Sequence, residues 1–218
     1  MGRVGIFTLD FKFYHDIITD LRKWKIPFTS LESMSDIPRD VSVILSSEKD
    51  ERFWDKQINA RDSTYGIRNS LPLLMNREVF DEVIIGLDPG PYPGIAVVAD
   101  NVLTEAYETP MIDLVRKEVM EIKESYRYRK ISIKIGDGDK PHRDLIIQTL
   151  VDTGIDLTVV DERNTSMPHK IHNNALSAAR IASLGRIFVP PKITEKISKK
   201  DVYDREFLTI QAALNNSF

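Results

Sequence analysis

The alternation of apolar and polar positions divides the chain into two patterned regions separated by a weaker one. Val4 to Leu9 reads as a short buried strand. Phe11 to Lys25 follows with Phe13, Ile17, Ile18, Leu21 and Trp24 at three- and four-residue spacing, while Asp16, Asp20, Arg22 and Lys23 fall on other faces, which predicts an amphipathic helix. Ile26 to Leu31 and Val41 to Ser46 predict two more strands, with a turn at Asp36-Ile37-Pro38 between them. Residues 1–60 thus read as a small βαβ-type module with one extra strand. From Glu48 to about Asp81 the periodicity fades, and residues 61–82 are expected to be a linker with some helix near Arg77 to Asp81.

The pattern sharpens after Glu82. Val83-Ile84-Ile85-Gly86-Leu87 is a wholly apolar run that stops at Asp88-Pro89-Gly90. Gly94 to Ala99 and Val102 to Tyr107 predict two further strands joined by an Asp100-Asn101 turn. A helix is expected from Pro110 to about Tyr126, with Ile112, Val115, Val119 and Ile122 on one face. Lys130 to Ile135 predicts a fourth strand, Pro141 to about Thr153 a helix, and Asp156 to Val160 a fifth strand. An Ala-rich helix follows from about Asn173 to Leu184. The order β-β-β-α-β-α-β-α over residues 83–190 predicts an α/β domain. Its first three strands should be antiparallel and its later strands parallel, the ribonuclease H-like arrangement of a mixed five-stranded sheet. Residues 191–218 read as a tail, basic at Lys196, Lys199 and Lys200, with a short helix carrying Phe207, Ile210 and Leu214.

Composition narrows the chemistry. The 218 residues contain no Cys, which excludes disulfides, thiolate zinc sites and a cysteine nucleophile. No apolar run approaches 18 residues, and the N-terminus lacks a signal-peptide pattern, so a cytoplasmic protein without membrane contact is expected. The net charge of −3 does not suggest a protein that coats DNA, although acids at a metal site can offset a basic groove elsewhere.

Acids follow the predicted strands repeatedly: Asp88 after the first, Asp137 and Asp139 after the fourth, Asp161 and Glu162 after the fifth. Ligands of such sheets collect at the carboxyl ends of the parallel strands. Crowded carboxylates repel one another unless a cation lies between them, and hard oxygen donors suit Mg²⁺ or Mn²⁺. Asp88, Asp137 and Asp161 are the expected metal ligands, and Asp139 is placed to cap the helix at Pro141. Each has an alternative: Asp88 as a turn initiator before Pro-Gly, and Asp161 with Glu162 as a solvated strand end beside Arg163.

Ile85 to Gly90 followed by Gly94 to Val98 resembles the opening hairpin of the RuvC-type Holliday junction resolvases. Asp161-Glu162-Arg163-Asn164-Thr165-Ser166 resembles a motif of the related YqgF proteins. The resemblance spans about residues 83–188. It implies a Mg²⁺-dependent endonuclease acting on structured DNA or RNA, and a homodimer, although no dimer patch is legible. It also implies a final carboxylate at the start of the last helix, where this chain has Asn174. His172 or His169 is a substitute ligand or proton shuttle near neutral pH, or else a helix-entry hydrogen-bond partner. Arg163, Lys170 and Arg180 flank the expected site as nucleic-acid contacts. A second basic group, Arg127, Arg129 and Lys130 with Tyr126 and Tyr128, reads either as phosphate and base contacts or as a solvated helix end. Two other functions remain open: a ribonuclease H-like binding or assembly module that does not cut, and a nucleotide-dependent phosphotransferase of the actin and sugar-kinase type.

Overall fold

The computed structural model describes residues 2–160 and 174–184. The described residues form a mixed α/β structure with one four-stranded and one five-stranded sheet. Two compact units separate at residues 80 and 81, and Ser125–Arg127 counts with the first. No helix among the described residues is long and apolar enough to cross a membrane.

In the first unit, β1 (Arg3–Ile6), β2 (Phe28–Ser30), β3 (Val41–Ser47) and β4 (Gln57–Ala60) form a wholly parallel sheet in the order β2-β1-β3-β4. Helix α1 (Phe11–Lys23) starts at Asp10, whose side chain accepts hydrogen bonds from Lys12 N and Phe13 N, so two of the otherwise unpaired first-turn N–H groups are satisfied. Its buried face is Phe13, Ile17 and Leu21, as the periodicity requires. Helix α2 (Ser63–Leu74) packs on α1, β3 and β4 through buried Ile67, Leu71 and Leu74.

Residues 61–82, expected to be a linker, therefore carry α2 and the start of a strand, and the extra strand β4 precedes them. The reason is physical. Helix α2 contains Gly66, Asn69, Ser70 and Pro72, all weak helix formers, so its stability comes from burial and from the Asp62 cap on Tyr65 N (2.7 Å) rather than from propensity. Strand β4 is four residues long and half polar, which gives no apolar run to detect.

In the second unit the strand order is β7-β6-β5-β8-β9, with β5 (Phe80–Asp88), β6 (Gly94–Ala99), β7 (Val102–Glu108), β8 (Tyr128–Gly136) and β9 (Asp156–Val160). β5, β6 and β7 pair antiparallel, and β8 with β9 parallel. Arg129 meets Asp81 (3.2 Å) and Lys130 approaches Glu82 (3.8 Å), so the starts of β8 and β5 lie together and these central strands run the same way. Asp100 and Asn101 both have positive φ (47° and 69°), the left-handed pair that a two-residue hairpin turn demands.

Helix α3 (Val115–Ser125) buries Val115, Val119 and Ile122, and helix α4 (Lys140–Leu150) buries Ile146 and Leu150. Helix α5 (Asn174–Ser183) lies on β6, β7 and β8. Its small face, Ala175 and Ala178, meets Ala96 and Ala106. Gly86 lies beneath it, where a Cβ would come within 2.0 Å of Ala178 O. The helix can approach the sheet this closely only because that row is glycine and alanine. Lys134 on β8 closes the far end of α5, donating to Ala182 O (3.1 Å) and to Leu184 O.

Candidate functional site

The chemistry-bearing residues of the second unit stand at the ends of β5, β7 and β8, and the first turn of α5 lies over Gly94 of β6. Asp88 is opposite Gly94, and Gly94 is opposite Glu108. Directly opposed residues send their side chains to the same face, so Asp88 and Glu108 rise on either side of a glycine, with Cα atoms about 10 Å apart across two strand spacings. Asn174 fills the gap. A Cβ at Gly94 would lie 1.9 Å from Asn174 O. The Asn174 backbone N–H donates to Glu108 Oε1 (3.1 Å), and its Nδ2 donates to Tyr92 O (2.6 Å). The start of α5 is therefore held by a carboxylate from β7 and a carbonyl from the β5–β6 loop.

Asp137 follows β8 and extends that strand's ladder, its N–H donating to Val160 O (3.1 Å). Since β5 and β8 run the same way side by side, Asp88 and Asp137 reach the same edge of the sheet. The Asp137 carboxylate is ion-paired with Arg143 of α4, which also binds Asp144 (2.8 Å). Asp144 first, and Asp137 after it, raise the Arg143 pKa above its ordinary value. Asp139 caps α4, accepting from His142 N (3.3 Å) and pairing with His142 Nδ1 (2.7 Å). That pairing holds the Asp139 pKa below the usual carboxylate range. Asp139 thus has the capping place expected of it.

Of the expected site residues, Asp88, Asp137 and Asn174 reach this edge, and Arg180 is exposed on α5. Asp161, Glu162, Arg163, Lys170, His169 and His172 lie outside the described residues, as does the tail from 191 onward. Among the described residues no group of three or more His, Asp or Glu stands together in a way that would hold a metal ion. In the second basic group, Arg129 and Lys130 are engaged by Asp81 and Glu82, Tyr126 is buried, and the Tyr128 hydroxyl donates to Lys123 O (3.1 Å). These contacts join the start of β8 to the start of β5; the Tyr126 ring is buried and Tyr128 is half-buried. Glu108 was missed by sequence reasoning. The available signal was that it ends a strand antiparallel-paired to the one beginning at Gly94.

The first unit has its own carboxyl edge, which sequence reasoning passed over. In a parallel sheet of order β2-β1-β3-β4 the side on which successive strands are added switches between β1 and β3, and ligand sites of open α/β sheets form at such a point. Here the chain's own groups bond to one another. Asp50 accepts from Leu9 N (3.0 Å) and Ser47 N (2.8 Å), tying the ends of β1 and β3 together. Asp10 accepts from Lys49 Nζ (2.8 Å) and Ser47 Oγ (3.4 Å). The Lys49 hydrogen bond first, and the backbone N–H of Phe13 next, pull the Asp10 pKa down to about 2.

A family model described as a response regulator receiver-like domain matches residues 3–74, about one third of the chain. No curated protein and no solved structure matches. This overturns the resemblance to RuvC-type and YqgF proteins. The family that matches is of another kind, it lies at the other end of the chain, and no RuvC-type, YqgF or ribonuclease H-like family matches. The misleading signal was a strand, an Asp-Pro-Gly turn and a short acidic motif, which sheets of many families share. The match ends at Leu74, the last residue of α2, so it covers all four strands of the first sheet.

Proposed function

We propose that the second unit is a ribonuclease H-like domain acting on nucleic-acid phosphodiesters with a divalent cation, and that Asp88 is its central ligand. The observation that carries this reading is the pair of carboxylates, Asp88 and Asp137, at the ends of adjacent parallel strands, with Glu108 on the same edge. The strand order β7-β6-β5-β8-β9, three antiparallel strands followed by two parallel ones, supports the fold assignment.

The donor set is all oxygen, the chemistry that Mg²⁺ or Mn²⁺ prefers. Asp88 and Asp137 would hold the ion, with Asp161 or Glu162 completing the set after β9. The ion would supply polarisation of the phosphate and a water activated for attack. The chain's own groups do the rest. Arg143 keeps the Asp137 carboxylate neutralised until a cation competes for it. Glu108 and Tyr92 O fix the start of α5, and so the position of Asn174, beside Asp88. Arg163, Lys170 and Arg180 would meet the nucleic-acid backbone. The receiver-like match supports reading the first unit as a signal-receiving module attached to this domain.

A second reading is favoured by two contacts: Asp137 is already paired with Arg143, and the Asn174 amide is already bound to Tyr92 O. Under it the domain binds nucleic acid without cutting. One experiment separates the two. Labelled four-way junctions, flaps, duplexes and single strands of DNA and RNA are incubated with the protein in Mg²⁺ or Mn²⁺. The first reading expects cleavage that disappears with EDTA and in Asp88→Asn. Salt-dependent binding unaffected by Asp88→Asn, with no cleavage in either metal, establishes the second.

A further inference from the structure

Strand β4 is the last strand of the first sheet, and among the described residues nothing pairs with its outer edge. The bonds it makes show which groups face out. Lys56 O accepts from Ile44 N (3.0 Å) and Ala60 O accepts from Glu48 N (2.9 Å), so residues 56, 58 and 60 turn toward β3. The two-residue period of a strand then turns Asn59 N–H, Asn59 C=O and Gln57 C=O away from the sheet. Unpaired edge groups of this kind are a template for another strand unless something blunts them. β4 carries no proline, and none of its four residues is charged.

A cleft of about 510 Å³ runs along this edge, between β4, the α2 residues Asn69 and Leu73, and Arg127. Its charged lining is Arg52, Lys56 and Arg127 against Glu48 and Asp55. Among the described residues neither Lys56 nor Arg127 has an ion-pair partner, and the Arg52 guanidinium donates to the neutral carbonyls Trp54 O (3.3 Å) and Asp55 O (2.7 Å). Three cations therefore stand against two carboxylates along a strand edge whose outward backbone donors and acceptors have no partner among the described residues.

The geometry points to β4 as a docking edge for an acidic polypeptide segment in extended conformation, which would add a fifth strand to the sheet. Backbone bonds to Asn59 and Gln57 would set its register, and Arg52, Lys56 and Arg127 would meet its carboxylates. This inference stands apart from the reading of the second unit, since every group it uses belongs to the first.

The test uses the full chain and the peptide acetyl-Glu-Val-Glu-Val-Glu-Val-amide, with its Lys-for-Glu counterpart as control, in calorimetry and in amide hydrogen exchange. The acidic peptide should bind and the basic one should not. Affinity should fall at least tenfold in the double variant Lys56→Glu, Arg127→Glu, which changes two side chains outside the core and is checked for native circular dichroism. Exchange of the Asn59 amide should slow at least tenfold in the complex. No binding overturns the proposal, as does equal binding of both peptides. Binding without protection of the Asn59 amide overturns the strand-addition geometry. Saturation by citrate, with the peptide excluded, identifies a small-anion site instead.

Discussion

Replacing Gly86 with alanine tests how α5 is seated. The added Cβ would lie 2.0 Å from Ala178 O and 2.8 Å from Ala182 Cβ and N. Ala178 O is a backbone atom in the middle of α5, so no rotamer change relieves the contact. A Cβ essentially never comes closer than 3.0 Å to another atom, so the helix must withdraw by about 1 Å, and the contacts along Ala96, Ala106, Ala175 and Ala178 loosen with it. Overpacking of a core typically costs about 1–3 kcal/mol, and a clash with backbone belongs at the upper end. At about 4 °C or more of melting temperature per kcal/mol for a domain of this size, Gly86→Ala should lower the melting temperature of the second unit by roughly 10 °C. Gly90→Ala is the control, since a Cβ there meets nothing within 4 Å. It should change stability by less than about 0.5 kcal/mol. Differential scanning calorimetry of both variants decides the matter. A Gly86→Ala protein as stable as Gly90→Ala would refute the close seating of α5, and with it the placement of Asn174 beside Asp88.

Further outcomes concern the carboxyl edge of the first unit. Asp10 has its pKa pulled down to about 2 from an ordinary 3.8, so its interactions stabilise the fold fully above about pH 4 and are lost as pH falls toward 2. Acid titration of unfolding midpoints should show that loss in the native protein. Asp10→Asn keeps a capping side chain but removes the charge, so it should flatten the slope in that window; an unchanged slope would contradict the Lys49 pairing. Asp50→Ala removes two hydrogen bonds from a charged acceptor to Leu9 N and Ser47 N, and should cost about 3 kcal/mol in denaturant unfolding. A change below about 1 kcal/mol would mean that water replaces the carboxylate without penalty.

Much of the architecture was written in local pattern. The apolar run at Val83–Leu87, the Asp100-Asn101 turn and the periodicity of α1 each produced the element they predict, because burial of one face is a local property of spacing. The antiparallel pairing of β5, β6 and β7 and the parallel pairing of β8 with β9 likewise followed from short turns against helical crossovers. Helix α2 and strand β4 were invisible because neither has the composition of its conformation: α1, β3 and β4 hold α2, and β3 with α2 holds β4. The candidate site divides the same way. An acid at each strand end could be read directly, and so Asp88 and Asp137 could be named. That Glu108 shares a row with Asp88 required the register of three strands. That Asp137 is taken by Arg143, and that Gly94 exists to admit Asn174, required the seating of two helices. A sequence states which groups end each element; only packing determines which of those groups meet, because the distances between elements are set by side chains far apart in the chain.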